Sequence, residues 1–354
     1  MIKEYGYEYD AALNEKLWEK CKEKVTYEKF WNAICLRSGR DALKTIAREY
    51  EPTTVYVSAL ACDSMISPFE MYGHIIVYYK LNVDYSINLD YLESIIESGL
   101  FLYMDYFGIK AISDEKLEEM RLKHPGLVFI EDRTHNLIWK RGSVFQADYI
   151  MASLRKWINV PDGGLLWTFK KLRNQHFSED TTFSETRLRA QHMRNEFFMT
   201  GDEDIKSKYR KIFSTVSNII DEDKNPSRMS VYAYELATTA DWDSVRKQRR
   251  ENAKCLIDVL KSSGVHCIQE EIGLSDLYVA FTTDNRDLKQ SKLSPKGIFN
   301  TIIWPLDDEQ KEICAVAKYT EEHMLAAPCD QRYSITDMEF IGNEIAKVIN
   351  DEVQ

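Results

Sequence analysis

Between Ser38 and Thr168 the sequence alternates short apolar runs with helical stretches, and few architectures accept that order. Apolar or aromatic runs recur at residues 55–57, 75–79, 100–104, 127–130, 149–152 and 165–168. They are short and scarcely interrupted by polar residues, as expected of strands covered on both faces. Between them lie helical segments at 65–72, 89–97 and 114–123, and one opened by Ser38, where Ala42, Leu43, Ile46 and Ala47 recur at three- and four-residue intervals. Strand and helix in alternation predict an α/β fold built on a mainly parallel sheet. Ligands on such sheets bind beyond the carboxyl ends of the strands.

The chain of 354 residues is long enough for a large domain and a smaller partner. We expect a large domain over residues 36–225, and a small one from 226–354 joined by 1–35, with a helix at about 13–24. Residues 170–212 are polar and weakly patterned, and read either as a solvated face or as a mobile segment reaching over a substrate. Beyond them, 229–260 reads as mostly helical, and Asp241-Trp242-Asp243 as a helix start. Short strands at 277–281 and 324–327 then alternate with helices at 307–318 and 336–350, an α+β layer. A net charge of −11 disfavours nucleic acid or an anionic membrane as the main partner, without excluding small anionic ligands. Seven scattered cysteines without a Cys-x-x-Cys pair suggest reduced thiols, not a disulfide framework or metal site. There is no secretory apolar segment, and no apolar run approaches the ~20 residues that span a bilayer. The expectation is a cytoplasmic protein.

Two of the strands end in chemistry. The run from Ala147 to Ser153 leads through Leu154 and Arg155 to Lys156, and Asp162-Gly163-Gly164 turns the chain into the next apolar run. Val128-Phe129-Ile130-Glu131-Asp132 ends in carboxylates, with His135 three residues beyond. An amine that can bond an aldehyde and an acid that can pair with a ring nitrogen together suggest a pyridoxal 5′-phosphate (PLP) site, with Lys156 and Asp132 catalytic. Asp132 could instead cap a helix, and Asp-Gly is a turn signal in its own right. His135 could lie over the ring or bond its phenolic oxygen, or be structural. Ser38-Gly39-Arg40-Asp41 opens a helix whose free N–H groups and dipole suit a phosphate, with Ser153 as the side chain to join them. Ser38 and Asp41 also satisfy the pattern of a capping box.

The ordered set Ser38-Gly39-x-x-Ala42-Leu43, Ile130-Glu131-Asp132-x-x-His135 and Ser153-x-x-Lys156 with Asp162-Gly163-Gly164 resembles the DegT/StrS family of PLP-dependent sugar aminotransferases. Tyr106-Phe107-Gly108, Trp304-Pro305-Leu306 and residues 328–333 look like distant members of it. The resemblance implies an aspartate-aminotransferase-type fold (fold type I, with a seven-stranded sheet) and a homodimeric site. It would make Lys156 the cofactor-bonding lysine, Asp132 the ring-nitrogen partner and His135 a cofactor contact, with Gly39, Arg40 and Ser153 near the phosphate. The implied reaction moves an amino group, from glutamate, to a keto group on a nucleotide-linked sugar or related precursor. Arg40-Asp41 departs from the family's usual Thr and small residue. No aromatic stands near Ala61-Cys62 to stack on the ring, and 183–200 does not match the substrate-contacting segment. Arg187, Arg189 and Arg194 are candidates to bind substrate phosphate or carboxylate across a dimer. The rival readings are another PLP reaction, such as a cysteine desulfurase using Cys329, and a non-catalytic fold relative, against which the presence of both Lys156 and Asp132 counts.

Overall fold

The computed structural model describes residues 3–11, 33–137, 147–269 and 275–351; the helix expected at 13–24 lies outside them. The chain enters through a two-residue strand, β1 (Tyr5–Gly6). Seven strands then build the central sheet. They are β2 (Ile34–Leu36), β3 (Thr54–Ser58), β4 (Ile75–Tyr79), β5 (Gly99–Met104), β6 (Leu127–Asp132), β7 (Tyr149–Ser153) and β8 (Gly164–Thr168). The order across the sheet is β2-β8-β7-β6-β5-β3-β4. From β4 to β7 every pairing is parallel; β8 runs antiparallel to both β7 and β2. From β3 to β6 the parallel strands are linked by helices, and β8 reverses because the glycine turn, not a helix, precedes it. β2 joins this sheet with Leu36 opposite Gly164.

Helices α1 (Gly39–Ala47), α2 (Asp63–Glu70), α3 (Leu89–Ile95) and α4 (Asp114–Lys123) fall where the periodicity placed them. All six residues of β5 are buried, and the core at mid-sheet is aromatic: the Phe101 ring meets Phe129 edge-on at 5.7 Å.

From residue 182 onward the segment read as polar and weakly patterned is helical, as α5 (Thr182–Thr200) and α6 (Glu203–Thr215), with α7 (Ser217–Glu222) following it. The solvated-face reading holds for only part of it, because α5 has a buried side. Helix α5 buries Phe183, Arg187, Ala190, Gln191, Arg194 and Phe197, a regular helical stripe. The stripe escaped the sequence reading because two of its members are arginines. Arg187 pairs with Glu8 at 2.6 Å and Arg194 lies 3.6 Å from Glu4, both acids coming from the N-terminal segment.

The second lobe starts with α8 (Val231–Thr239) and α9 (Trp242–Ser262) and continues through β9 (Tyr278–Thr282), α10 (Arg286–Leu293), β10 (Ile298–Phe299) and β11 (Thr301–Ile302). It closes with α11 (Asp308–Ile313), α12 (Ala315–His323), β12 (Met324–Pro328) and α13 (Ile335–Asn350). β12 pairs antiparallel with β11 and β9, and β1 lies parallel to β10, which ties the N-terminus into this lobe. Helices α9 and α13 cross at Gly342, where a Cβ would come within 2.7 Å of Val259 Cγ1. The lobe has its own core of Leu256, Leu260, Val279, Phe281, Leu325 and Ile345. No helix among the described residues is long and apolar enough to cross a membrane.

Candidate active site

Strands β6 and β7 run parallel with Asp132 opposite Met151, so both carboxyl ends open on one edge of the sheet. The chain leaves β7 through a single 3₁₀ turn, Leu154–Lys156, and returns as β8. The intervening loop is closed by Leu154 N–H donating to Gly163 O at 3.1 Å. Gly163 has φ +145°, a backbone state that side chains rarely permit, and its N–H donates to Arg37 O at 2.7 Å. A Cβ on Gly164 would sit 2.1 Å from Ser38 O. The glycines therefore make the turn and press the lysine loop against the start of α1.

The result is one cleft whose lining includes Ser38, Gly39, Arg40, Asp132, Ser153 and Lys156, residues from three separate stretches of sequence. Cys62, Thr134, Arg155 and Trp304 also line it. The Asp132 carboxylate accepts the Thr134 N–H at 2.7 Å and caps this turn, not a helix. Burial raises its pKa, against the Thr134 hydrogen bond and the positive charge of Lys156, which lower it. Thr134, passed over in the sequence, fixes the two strand ends together. Its hydroxyl accepts the Ser153 N–H at 3.0 Å, and its carbonyl accepts Trp157 Nε1–H at 2.7 Å.

His135 does not line the cleft. Its ring is buried beside Phe107, Tyr106 and Tyr278, at centroid distances of 5.7, 6.2 and 6.1 Å. Nδ1 accepts the Phe107 N–H at 3.1 Å, so in the neutral ring the proton sits on Nε2. Burial, reinforced by Lys156, holds its pKa well below the usual value. The His135 ring is thus packed among aromatic side chains and holds the Phe107 backbone.

At the start of α1, the Ser38 hydroxyl accepts Asp41 N–H at 3.1 Å, the N-cap half of the box, while the Asp41 carboxylate accepts the Ser38 hydroxyl at 2.6 Å and pairs with Arg37. The Arg40 guanidinium is drawn to Asp221 and Ser217. The N–H groups of the first turn are what this end of the cleft offers a ligand. Gly39 permits the approach, since a Cβ there would meet Met151 Cε at 2.9 Å and Ser153 Cβ at 3.4 Å. Trp304, held by its Nε1–H on Leu60 O at 3.0 Å, brings to the cleft the aromatic surface that the sequence lacked near Cys62.

The other candidates fall elsewhere. Arg187 and Arg194 are buried in α5 against Glu8 and Glu4, and are not free to reach a substrate; Arg189 alone of the three is exposed. Cys329 is fully buried, its thiol 3.3 Å from Asp276 O, and burial drives its pKa far upward, so it is not poised as a nucleophile. Arg249 is a residue that sequence reasoning missed. It is completely buried, and its NH2 donates to Trp157 O at 3.0 Å and, more weakly, to Lys156 O at 3.4 Å. The same side chain reaches Gln331 Oε1 at 2.8 Å, Asp276 O at 3.0 Å and the Tyr9 hydroxyl at 2.6 Å. No local motif marks it, because its contacts are assembled from four distant parts of the chain.

Sheet order, the helix-headed cleft and the lysine loop define a fold type I architecture, and solved structures agree. The chain matches a DegT/DnrJ/EryC1/StrS aminotransferase from Brucella abortus at TM-score 0.62 and 16% identity, covering 97% of this chain and 92% of that one. It matches Helicobacter pylori PseC, an aminotransferase of pseudoaminic acid biosynthesis, at TM-score 0.65 and 14% identity over 99% and 100% of the two chains. DesI, solved in the presence of its TDP-sugar product, matches at TM-score 0.69 and 14% identity over 99% and 94%. No family model and no curated protein matches the chain. At these identities the likeness establishes the fold.

Proposed function

We propose that this chain is a PLP-dependent aminotransferase acting on a keto sugar. The observation that carries the reading is the convergence of Lys156, Asp132 and the N-terminus of α1 in one cleft. The donor set fits the cofactor. Lys156 Nζ would hold its aldehyde carbon, Asp132 its ring nitrogen, and the first turn of α1 with Ser153 its phosphate. Trp304 would offer an aromatic face. Bound there, PLP supplies an electron sink for the pair left when a substrate Cα–H bond breaks.

The protein's own part follows from its residues. Asp132, buried and reluctant to ionise alone, gains a cationic N–H partner that keeps it charged through a charge-assisted hydrogen bond. Lys156 Nζ takes the proton from the substrate Cα as general base and returns it as general acid. Arg249, Thr134 and the glycine turn hold the lysine loop while this happens. DesI, solved in the presence of its TDP-sugar product, favours a nucleotide-linked keto sugar as acceptor, and glutamate is the donor this reading adopts. A homodimer accords with the reading; light scattering of the purified protein checks it. The desulfurase alternative is not favoured, since Cys329 is sealed in the core.

The test is a half-reaction. The PLP-loaded protein mixed with glutamate should release 2-oxoglutarate in proportion to enzyme, and a TDP-linked keto sugar should then be aminated. Release from no amino acid in a panel of donors would sink the aminotransferase reading.

A further inference from the structure

Arg155 stands beside the lysine and is used by nothing described so far. Its side chain is half-buried and lines the cleft, and its Nε is shut off from solvent without a hydrogen-bond partner. Among the described residues, no carboxylate lies within ion-pairing distance of it. Its guanidinium carbon lies 5.6 Å from the centre of the Phe183 ring, and the guanidinium of Arg187 lies 5.8 Å from the same ring. Glu8, an acid whose charge acts on Arg155, is committed to Arg187 by two hydrogen bonds of 2.6 and 3.2 Å. A desolvated cation facing a second cation and lacking its own anion is costly unless a ligand supplies the charge.

The direction is set by the turn. In a 3₁₀ turn, successive side chains splay about 120° apart. Lys156 bears electrostatically on Asp132 and His135, at the β6 end of the cleft. Arg155 instead interacts with Arg187, Glu8, Arg40 and Asp162, around the start of α1 and the glycine turn. Burial and the Arg187 charge push its pKa down to about 9, more than Glu8 and Asp162 restore. The two consecutive residues therefore address opposite ends of one cleft.

We propose that Arg155 is a phosphate-binding residue, gripping the phosphate monoester of the cofactor at the end of the cleft headed by α1. This rests on the PLP reading above. The planar fork of an arginine suits a phosphate dianion, and it would supply the charged side-chain contact that Arg40, turned to Asp221, does not. A phosphate on the substrate presents the same chemistry, so the experiment must separate the two sources.

Arg155→Gln and Arg155→Lys are compared with the wild-type chain. By titration of cofactor absorbance, Arg155→Gln should weaken binding of PLP about 10- to 100-fold. It should leave the affinity for pyridoxal, which lacks the phosphate, unchanged. Arg155→Lys, with charge but no fork, should fall between. Inorganic phosphate should raise the melting temperature of cofactor-free wild type, but not of Arg155→Gln or of the PLP-loaded protein. Without ligand, Arg155→Gln should melt no lower than wild type, because it removes a repulsion. Unchanged PLP affinity in Arg155→Gln, or a lower unliganded melting temperature, would overturn the assignment. Phosphate that stabilises the loaded protein through Arg155 would also overturn it, giving the residue to the substrate. If wild type binds no PLP at all, the function reading fails by itself, and the phosphate melt still shows whether Arg155 holds that anion.

Discussion

Replacing Arg249 by leucine probes the part of the site furthest from sequence inspection. The substitution removes donors from Gln331 Oε1, Asp276 O, the Tyr9 hydroxyl and Trp157 O. Not all of these acceptors are left bare. Trp157 O keeps Gln331 Nε2 at 3.0 Å and the Tyr9 hydroxyl at 3.2 Å, and Asp276 O keeps the weak thiol donor of Cys329. About two acceptors lose their principal donor, and a buried unsatisfied group costs about 1–3 kcal/mol. Relief from burying a guanidinium offsets part of that. The expected net loss is therefore about 3 kcal/mol, and it falls on the lysine loop. Urea unfolding gives the global term, and amide exchange over residues 154–163 the local one. Arg249→Lys, able to reach fewer acceptors, should lose less. A change below about 1 kcal/mol in Arg249→Leu, with loop protection intact, would show that the clamp is not holding the loop.

Three other perturbations follow. Asp132→Asn should still bind PLP but lose about 10²-fold or more in Cα-proton removal, measured as the half-transamination rate, because a neutral amide cannot keep the ring cationic. Asp162, buried with its pKa raised to about 6, binds a proton more tightly folded than unfolded, so its contribution to stability falls as pH rises from about 4 through 6. Asp162→Asn, which can still accept the Ser230 N–H, should thus gain on wild type by up to about 3 kcal/mol in urea melts at pH 8 relative to pH 4; an equal difference at both pH values would refute this. Gly164→Ala drives a Cβ into Ser38 O and Gly39 N and should cost about 3 kcal/mol or more, whereas Gly39→Ala meets the flexible tip of Met151 and should cost less. Thermal melts rank the pair.

What could be read in the sequence was what is local. Each strand of the parallel core announced itself as an apolar run, and Lys156 and Asp132 stood at strand ends where one motif spans strand and turn. The Ser38 cap was legible for the same reason, since Ser38 and Asp41 are neighbours. What failed depends on distant partners. Helix α5 looked polar because Arg187 and Arg194 hold stripe positions, and only Glu8 and Glu4, far away in sequence, make burial there affordable. His135 has the right spacing from Asp132, but its bond to the Phe107 N–H is a contact that the spacing does not announce. Trp304 reaches the cleft only because the second lobe folds back onto Leu60. Arg155 lies within the motif, but the want of a partner at its Nε is a fact of three dimensions.

The central claim is that Lys156 is the residue to which PLP becomes bonded. The purified chain is saturated with PLP, reduced with borohydride and digested, and the peptides are read by mass spectrometry. The account predicts a pyridoxyl group on Lys156 and its disappearance in Lys156→Ala. A label on another lysine, or none at saturating cofactor, would contradict it.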